Sequence, residues 1–460
     1  MSSHRVSFGI AIATVVTVLV GTGVSPAQPK GSALLAAGPM VGQATETTVT
    51  LWARTSRPAE VRFRYWPSAH PDQAAWSDAV TTTRERDFCA HVIIGGLPYG
   101  GRFRYAIHLN GSEVALPYET SFRTQVHWRW REPPPDFTVA TGSCAYFNDP
   151  PSDRPGVPYG DTEYGIFRTI ARTRPEFMLW LGDNMYLREP DWSSAHGIRA
   201  RYARSRATKE LQPLLASVHH YAMWDDHDYG PNDSDWTYPF RRASLRAFNL
   251  YWANPTAGLD GVPGVFTRFT WNDAEFFLLD DRYHRSPNRA PVGPDKRMWG
   301  REQLRWLVDS LVSSEHRFKI IANGNQVLNE IAQKESATRY PHELNELLSE
   351  IARRKVTGVV FLSGDRHYSE LLRRPSGAWP GRYPLYDFTS SPLLSGLHVL
   401  TPHERHNPRR VPDTLFDTDR NFGRLLFRGE GATRSLTFEC RGKAGDLKWA
   451  HTVRAVDLEK

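Results

Sequence analysis

Strand-length apolar runs recur along the second part of this chain, and each run ends in side chains that can bind a metal ion. These ends carry thiol, carboxylate, amide and imidazole groups, in chain order Cys144, Asp183, Asp226, Asp281, Asn325, Asp365 and His367. In layered α/β domains, polar groups collect at the carboxyl ends of rigid, buried strands. A cluster of this density would repel itself unless cations neutralised it. The recurrence therefore predicts an α/β domain with a cation site where several strand ends meet.

A proline-rich segment at residues 131–135 separates two regions of different sequence pattern. Before it, short runs such as residues 61–65 and 102–107 alternate apolar and polar side chains, as half-buried strands do. Several such strands at regular spacing predict a small immunoglobulin-like β-sandwich domain at residues 33–131. After it, apolar strands alternate with helical stretches, which predicts a layered α/β domain at residues 136–460.

Residues 1–27 have the pattern of a secretory signal peptide. A short polar start is followed by apolar and small residues at 6–24 and then by Ser25, Pro26 and Ala27. Small residues at this spacing suit signal peptidase, and the stretch has the length and flanks of a leader rather than a membrane anchor. No later stretch of the sequence is long and apolar enough to span a bilayer. We therefore expect Sec-type export, and a secreted or periplasmic protein without a stable membrane span.

The charge distribution argues against a dedicated nucleic-acid binding protein. The formal net charge of +7 is modest for 460 residues, and lysine and arginine are scattered rather than gathered into one stripe. A dedicated nucleic-acid binding face is therefore not expected. A basic surface can attract phosphorylated substrates, although an ordinary soluble surface explains the charge equally well. The oligomeric state is left open.

The three cysteines of the chain are Cys89, Cys144 and Cys440. In an exported protein, an odd count leaves at least one thiol to explain. Cys89 and Cys440 either pair with each other or are both buried free thiols. Cys144 differs from them because it follows an apolar run and precedes a polar loop, where we expect a metal ligand.

The mixture of donor types predicts two kinds of ion side by side. Carboxylate and amide oxygens suit hard cations, imidazole suits borderline metals, and thiolate or phenolate suits a stronger Lewis acid. Asp183 is the best candidate for a shared, bridging carboxylate because Tyr186 lies three residues on. Two metal ions about 4 Å apart can clamp phosphoryl oxygens and activate a water molecule as the nucleophile. No side-chain nucleophile is then required.

Three segments around these ligands resemble the motifs of the PhoD-like alkaline phosphatase and phosphodiesterase family. Residues 182–186 read GDNMY, residues 224–228 read WDDHD, and residues 363–370 read SGDRHYSE. The resemblance extends from about Leu34 onward and includes a small N-terminal β-domain. It places the chain in the metallophosphatase superfamily, beside the purple acid phosphatases. It implies a layered β-sandwich core flanked by helices and preceded by the immunoglobulin-like domain.

The resemblance also implies the metals and their ligands. The family's site is understood to hold Fe³⁺ with Ca²⁺, although another divalent metal is an alternative. The implied iron ligands are Cys144, Asp183 as the bridge, Tyr186 and His367. The implied calcium ligands are Asp183, Asp226 and Asp365, with Asn325 as a further candidate.

Two more residues receive catalytic roles from their positions. His227, adjacent to a ligand, is expected to stabilise the transition state or protonate the leaving group. Arg188 is expected to clamp phosphate, because a guanidinium matches phosphate oxygens in a bidentate way; a surface ion pair with Glu189 or Asp191 is its alternative role. The leader departs from the twin-arginine type in having His4 before Arg5, so export of a metal-loaded protein by that route is not supported.

The sequence and the resemblance together predict a secreted, metal-dependent phosphoesterase. It is expected to hydrolyse a small-molecule or lipid phosphate ester with metal-activated water. A phospholipase D-like phosphodiesterase is the alternative if the loops form a wide apolar cleft. A non-catalytic surface binding protein stabilised by calcium is a second alternative, but thiolate and phenolate are poor ligands for structural calcium. A zinc-only hydrolase would carry more histidine at the strand ends.

Overall fold

The computed structural model describes residues 34–331 and 335–459. The predicted signal peptide, residues 1–27, lies outside the described residues. Among the residues that are described, no helix is both long and apolar enough to cross a bilayer.

The N-terminal unit, residues 34–131, folds into two facing sheets. Its strands are β1 Leu35–Ala44, β2 Val49–Thr55, β3 Glu60–Pro67, β4 Ala75–Trp76, β5 Val80–Thr81, β6 Cys89–Ile94, β7 Arg102–Leu109, β8 Ser112–Glu113 and β9 Ser121–Arg123. One sheet contains β1, β2 and β6, and the other is built on β3 and β7. Alternation along β3 buries Val61 and Phe63 and leaves Arg62 and Arg64 outside. The two sheets form the immunoglobulin-like sandwich that the sequence predicts.

The C-terminal unit, residues 136–459, combines strands with helices. Its strands are β10 Phe137–Gly142, β11 Phe177–Leu181, β12 His219–Met223, β13 Thr267–Trp271, β14 Ala274–Leu278, β15 Phe318–Ala322, β16 Val359–Ser363, β17 Glu370–Arg374, β18 Leu385–Thr389, β19 Asn421–Arg428, β20 Ser435–Gly442 and β21 Leu447–Arg454. Its helices are α1 Gly165–Arg172, α2 Ala195–Arg206, α3 Gln212–Ser217, α4 Asp226–Tyr229, α5 Arg241–Tyr251, α6 Arg301–Ser313, α7 Pro341–Arg353 and α8 Pro402–Arg405.

Two large sheets pack face to face in this unit, and the first of them continues into the N-terminal unit. One has the strand order β21-β20-β19-β10-β11-β12-β1-β2-β6, and the other has the order β13-β14-β15-β16-β18-β17. Phe177 of β11 meets Phe276 of β14 edge to face at 5.1 Å between ring centroids, and Tyr221 of β12 stacks on Phe269 of β13 at 3.6 Å. Helices α1, α2, α3 and α5 cover the outer face of the first sheet, while α6 and α7 cover the second. The predicted fold class, a layered β-sandwich flanked by helices, is confirmed.

The loops that follow the parallel strands of both sheets meet at one edge of the sandwich. A Cβ atom added to Gly364, after β16, would lie 2.6 Å from the side chain of Ser143, after β10. A Cβ atom added to Gly324, after β15, would lie 2.6 Å from the Asp225 carboxyl carbon, after β12. Because only glycine allows such approaches, both glycines let loops from opposite sheets come into contact.

The N-terminal unit is continuous with the C-terminal unit through one strand. β1 pairs in parallel with β12, with Val41 opposite His219, so the first large sheet runs through both units. The Tyr221 hydroxyl lies 3.0 Å from the backbone nitrogen of Ala44, which donates to it. The Tyr105 hydroxyl donates to the carbonyl of Ala216 in the last turn of α3 at 2.9 Å. The boundary predicted at residues 131–135 therefore separates segments that share a sheet.

All three cysteines are free and buried. Of the two alternatives for Cys89 and Cys440, the structure has the free thiols.

Candidate metal centre

One group of donor atoms lies beyond the carboxyl ends of β10, β11 and β16. The ligand atoms of Cys144, Asp183 and His367 lie within 4.8 Å of one another. The Tyr186 hydroxyl donates to Asp183 Oδ2 at 3.0 Å and lies 3.3 Å from His367 Nε2. A thiol, a phenol, an imidazole and a carboxylate therefore surround one small volume. Such a set suits a borderline or stronger Lewis-acid cation.

A second group of donor atoms shares Asp183 with the first. The ligand atoms of Asp183, Asp226 and His227 also lie within 4.8 Å of one another. Asp183 Oδ2 lies next to the Tyr186 hydroxyl, and Asp183 Oδ1 accepts from the His227 backbone N–H at 3.2 Å. The two carboxylate oxygens of Asp183 thus lie toward different neighbours, as a bridging carboxylate requires.

A cavity of about 540 Å³ opens over both groups. The predicted ligands and acid among its lining residues are Asp183, Asp226, His227, Asp365 and His367. Asp233 and Glu335 also line the cavity, and their carboxylates form a third group with Asp226, again within 4.8 Å. The remaining wall is mostly polar or charged and includes Tyr159, Asn232, Asn288, Arg289, Arg339, Arg366 and His398.

Four of the predicted ligands have a left-handed backbone conformation. The φ angles are +61° at Cys144, +51° at Asp183, +65° at Asp365 and +57° at His367. Residues with a side chain rarely adopt this region, and each instance costs on the order of 1–3 kcal/mol. Such strain is concentrated at functional sites, where the surrounding fold holds it. Here it turns each side chain from its strand end toward the others.

Neighbouring side chains fix the orientation of the donors. The Ser391 hydroxyl donates to Cys144 Sγ at 3.2 Å. The Tyr159 hydroxyl lies 3.1 Å from His367 Nδ1, so it contacts the ring nitrogen opposite the one near Tyr186. The His227 ring packs on Tyr186 at 4.1 Å between centroids. The second nitrogen of a ligand histidine commonly has such a partner, which sets its tautomer and orientation.

Negative charge at the donor atoms is costly in the protein alone. Burial raises the pKa of the Asp183 carboxyl well above its ordinary value, and the charges of Asp226 and Cys144 raise it further. Burial, followed by the charge of Asp183, also raises the pKa of the Tyr186 phenol well above its ordinary value. Burial and then the charge of Asp365 raise the pKa of the Cys144 thiol to about 12. A cation among these groups would act in the opposite direction on all three.

One buried atom at the site supports the fit of a cation. Asp226 Oδ1 is buried and has no hydrogen-bond partner within the described residues, although Asp226 Oδ2 accepts from the Asp233 backbone N–H at 2.8 Å. Buried polar atoms are rarely left unsatisfied, and a missing ion is one of the usual reasons. The donor set and this unpartnered oxygen together fit the metals that the resemblance implies.

A buried network of ion pairs lies next to the cavity, on its interior side. Arg282, fully buried, donates through Nε to Asp225 Oδ1 at 2.6 Å and through Nη2 to Glu335 Oε2 at 2.5 Å. Arg285, also fully buried, donates to Glu335 Oε1 at 2.6 Å. The two arginines therefore hold Glu335 at the cavity wall and Asp225 beside the predicted ligand Asp226.

Asn325 belongs to this network and does not line the cavity. Its side-chain oxygen accepts from Arg285 Nη1 at 2.8 Å, and its side-chain nitrogen donates to Asp225 Oδ2 at 3.1 Å. Both ends of the amide therefore have partners within the protein, and calcium ligation by Asn325 stays a prediction.

Arg188 is also occupied by the protein itself. Its Nε donates to Asp153 Oδ1 at 2.9 Å, its Nη2 donates to the Phe147 carbonyl at 2.7 Å, and its Nη1 donates to the Tyr186 carbonyl. The guanidinium lies on the Tyr146 ring at 3.8 Å. Arg188 therefore holds the segment that carries Tyr186, and its phosphate-clamp role stays a prediction. Its carboxylate partner through the side chain is Asp153, whereas Asp191 accepts from its backbone N–H at 2.8 Å.

Among the lining residues that the sequence pattern does not mark, Asp233, Glu335 and Tyr159 lie next to predicted donor atoms. Asp233 lies in a turn shortly after Asp226, so its closeness in sequence was the available signal. Glu335 and Tyr159 lie outside the strand-end pattern, in segments without regular secondary structure. No local pattern marks either of them.

The sequence matches two family models. One is described as PhoD-like phosphatase and matches residues 139–398, which include the two groups of donor atoms. The other is a domain of unknown function, DUF7800, and matches residues 32–127.

Curated proteins and solved structures give similar matches. Alkaline phosphatase D of Bacillus subtilis (strain 168) is 24% identical in an alignment 283 residues long. The match covers 51% of this chain and 46% of that protein, so it spans less than half of the relative. A structure of PhoD superposes with a TM-score of 0.74 at 18% identity and covers 93% of this chain and 90% of the other. A purple acid phosphatase from yellow lupin (Lupinus luteus) gives 0.64 at 12% identity, with 90% of this chain and 74% of the other covered. At these identities the two structures show a shared fold.

Proposed function

Because this chain belongs to the PhoD-like phosphatase family, we propose that it is a metal-dependent phosphoesterase. The observation that carries the proposal is the position of Asp183 in two groups of donor atoms beneath a polar cavity. One relative is named alkaline phosphatase D, and we propose more specifically an alkaline phosphatase or phosphodiesterase activity.

The proposed ligands of one cation are Cys144, Asp183, Tyr186 and His367. The proposed ligands of the other are Asp183, Asp226 and Asp365. We propose Fe³⁺ for the first set, because it contains a thiol and a phenol, and Ca²⁺ for the second, because it consists of carboxylates. When bound, such cations supply Lewis-acid charge for the phosphoryl oxygens and an activated water molecule.

His227 is the proposed acid for the leaving group. Its Nδ1 is buried, so Nε2 is the ring nitrogen that the cavity can reach. The ring is held by its packing on Tyr186, and Asp226 Oδ1 lies 4.0 Å from Nε2. In the proposed mechanism a water oxygen adds to phosphorus as the P–O bond to the leaving group breaks. The protonated His227 ring donates its Nε2 proton to the departing ester oxygen and becomes neutral.

The cavity wall favours small, polar phosphate esters over lipids. Leu397 and Val399 are the aliphatic residues among its described lining, whereas the other lining side chains are aromatic, polar or charged. A phospholipase D-like enzyme would need a wide apolar cleft at this position. We further propose that the protein acts after export, as the leader pattern at residues 1–27 favours.

The proposal is tested with protein purified without chelator, its metal content measured, on phosphomonoester and phosphodiester substrates in parallel. Turnover that chelation removes and metal restores is expected. Tight metal binding without turnover on any ester would instead support the calcium-stabilised binding protein. Turnover that survives complete metal removal would contradict the proposed mechanism.

Replacing His227 with alanine is expected to lower kcat by about 10²-fold or more, because a positioned acid contributes rate of this order. The metal content should stay unchanged, since the proposed ligand sets do not include this ring. The matched control is His342→Ala, an exposed histidine on α7. A very acidic leaving group departs without protonation. If the variant lost as much rate on an ester of this kind as on an ester with an ordinary leaving group, the acid role would be excluded.

Replacing Tyr186 with phenylalanine is expected to remove a visible charge-transfer absorption from the iron-loaded protein, because the phenol is the proposed source of that band. The control is Tyr146→Phe, since the Tyr146 ring packs 5.0 Å from Tyr186 but its hydroxyl donates to Asp153. Absorption spectra and metal analysis of both variants measure the outcome. A colourless and active wild-type protein would show that another metal occupies the site.

A further inference from the structure

A second large cleft lies between the N-terminal and C-terminal units. Its volume is about 710 Å³, and it is strongly basic. The charged residues that line it are six arginines and two glutamates: Arg102, Arg104, Arg123, Arg168, Arg172, Arg174, Glu119 and Glu176. His219 also lines the cleft, but burial lowers its pKa to about 4 and keeps it neutral at pH 7. The lining therefore carries an excess of positive charge.

The arginines come from both sides of the cleft. Arg102 and Arg104 lie two residues apart on β7 and so point to the same side of that strand. Arg102 also pairs directly with Arg123 of β9 across the ladder, which brings two like charges together. From the other unit, Arg168 and Arg172 lie one turn apart on α1 and share one helix face.

Only part of this charge is neutralised by the protein. Arg104 pairs with Glu119 at 3.0 Å, and Arg123 pairs with Glu176 at 2.8 Å. The side chains of the other four arginines (Arg102, Arg168, Arg172 and Arg174) form no ion pair or hydrogen bond within the described residues, and all four are exposed. The charge of Arg174 does act on Glu119: the pKa of this carboxyl is lowered first by the hydrogen bond from Arg104 and further by the charge of Arg174, so this glutamate serves two arginines. The like charges left over on the walls of one cleft raise the energy of the free protein, and a multivalent anion would remove that repulsion.

We propose that this cleft binds a compact anion that carries two or more phosphate or sulfate groups. Each guanidinium offers a planar fork that matches a tetrahedral oxyanion. The Cβ atoms of neighbouring arginines on one helix face or strand face lie roughly 5–7 Å apart. Adjacent ester groups on a small molecule can match this spacing. The cleft is concave, so a small multivalent molecule enters it, whereas a flat bilayer surface does not.

The cleft is separate from the proposed catalytic cavity. Glu176, Val218 and His219 line it at the amino ends of β11 and β12, whereas Asp183 and Asp226 follow the carboxyl ends of the same strands. A five-residue strand such as β11 spans about 17 Å. One small ester group cannot occupy both places.

The test is calorimetric titration of the metal-loaded protein with inositol hexasulfate, which is a compact polyanion without a phosphate ester to hydrolyse. The variant is the double substitution Arg168→Ala and Arg172→Ala on exposed positions of α1. The matched control is Arg242→Ala with Arg246→Ala, an exposed pair with the same four-residue spacing on α5, outside the cleft. A titration with inorganic sulfate distinguishes a multivalent site from a site for a single anion.

We expect the α1 variant to bind inositol hexasulfate at least about tenfold more weakly, because two charge-assisted contacts are lost. The α5 control should bind within about twofold of the wild type, and both variants should hydrolyse a small phosphomonoester at the wild-type rate. Unchanged affinity in the α1 variant overturns the proposal. So does inorganic sulfate binding as tightly as the hexasulfate. A parallel Arg289→Ala variant reports on binding at the catalytic cavity: loss of affinity there, with none in the α1 variant, would place the probe at the other site.

Discussion

Replacing Asp183 with asparagine is expected to lower kcat for phosphate-ester hydrolysis by more than about 10²-fold, beyond the effect of residues that only orient a ligand. The substitution keeps the size of the side chain but removes the charge that serves both groups of donor atoms. One of its oxygens becomes an NH₂ group, which cannot coordinate a cation. The bound metal should therefore fall in both positions at once, because the shared ligand is lost.

The measurement combines steady-state rates, metal analysis and circular dichroism of the same preparation. The control is Asp260→Asn, an exposed carboxylate outside the described cavity lining. It should leave both the rate and the metal content unchanged. A folded Asp183→Asn protein with near-normal turnover would exclude the bridging role, whatever its metal content.

Replacing Arg282 with methionine is expected to lower the free energy of unfolding by about 3–5 kcal/mol, the usual cost of removing one partner from a buried ion pair. The side chain is fully buried between Asp225 and Glu335. Without the guanidinium, these two carboxylates would be left close together in the interior without their main positive partner. Methionine fills much of the volume, so the loss reports on charge rather than on a cavity.

Denaturant titration followed by fluorescence measures this change. The control is Arg305→Met on α6, where the arginine side chain is 79% exposed and the effect should be small. If the methionine variant does not accumulate as folded protein, Arg282→Lys keeps a positive charge but loses the planar fork, and an intermediate stability is expected. A methionine variant as stable as the wild type would show that the network does not hold the loops together.

The strand ends were predictable from the sequence because each one combines two local signals. Four or five apolar residues mark a buried strand, and the polar residues that follow can only be satisfied outside it. The structure places Asp183 after β11, Asp226 after β12 and Asp365 after β16, as these signals predict. The packing of the two sheets against each other was predicted from the family resemblance, since no local sequence signal places β11 against β14.

The ion-pair network beneath the site could not be predicted in the same way. Arg282 and Glu335 lie 53 residues apart, and Glu335 follows no strand. Arg188 and Asn325 have the side-chain chemistry of a clamp and a ligand, but that chemistry serves equally well for internal hydrogen bonds. The neighbours that the fold supplies are not visible in the sequence: in the structure Arg188 bonds to Asp153, and Asn325 bonds to Arg285.

The strand β1 has a consequence for the modularity of this architecture. Residues 131–135 resemble a convenient junction at which genes could be joined or truncated, yet β1 completes the sheet beside β12. A chain that began after the junction would present the backbone donors and acceptors of β12 as an unprotected template for self-association. A grafted module would have to bring a strand of matching direction. A boundary that looks convenient in the sequence therefore divides strands that belong to one continuous sheet in the folded protein.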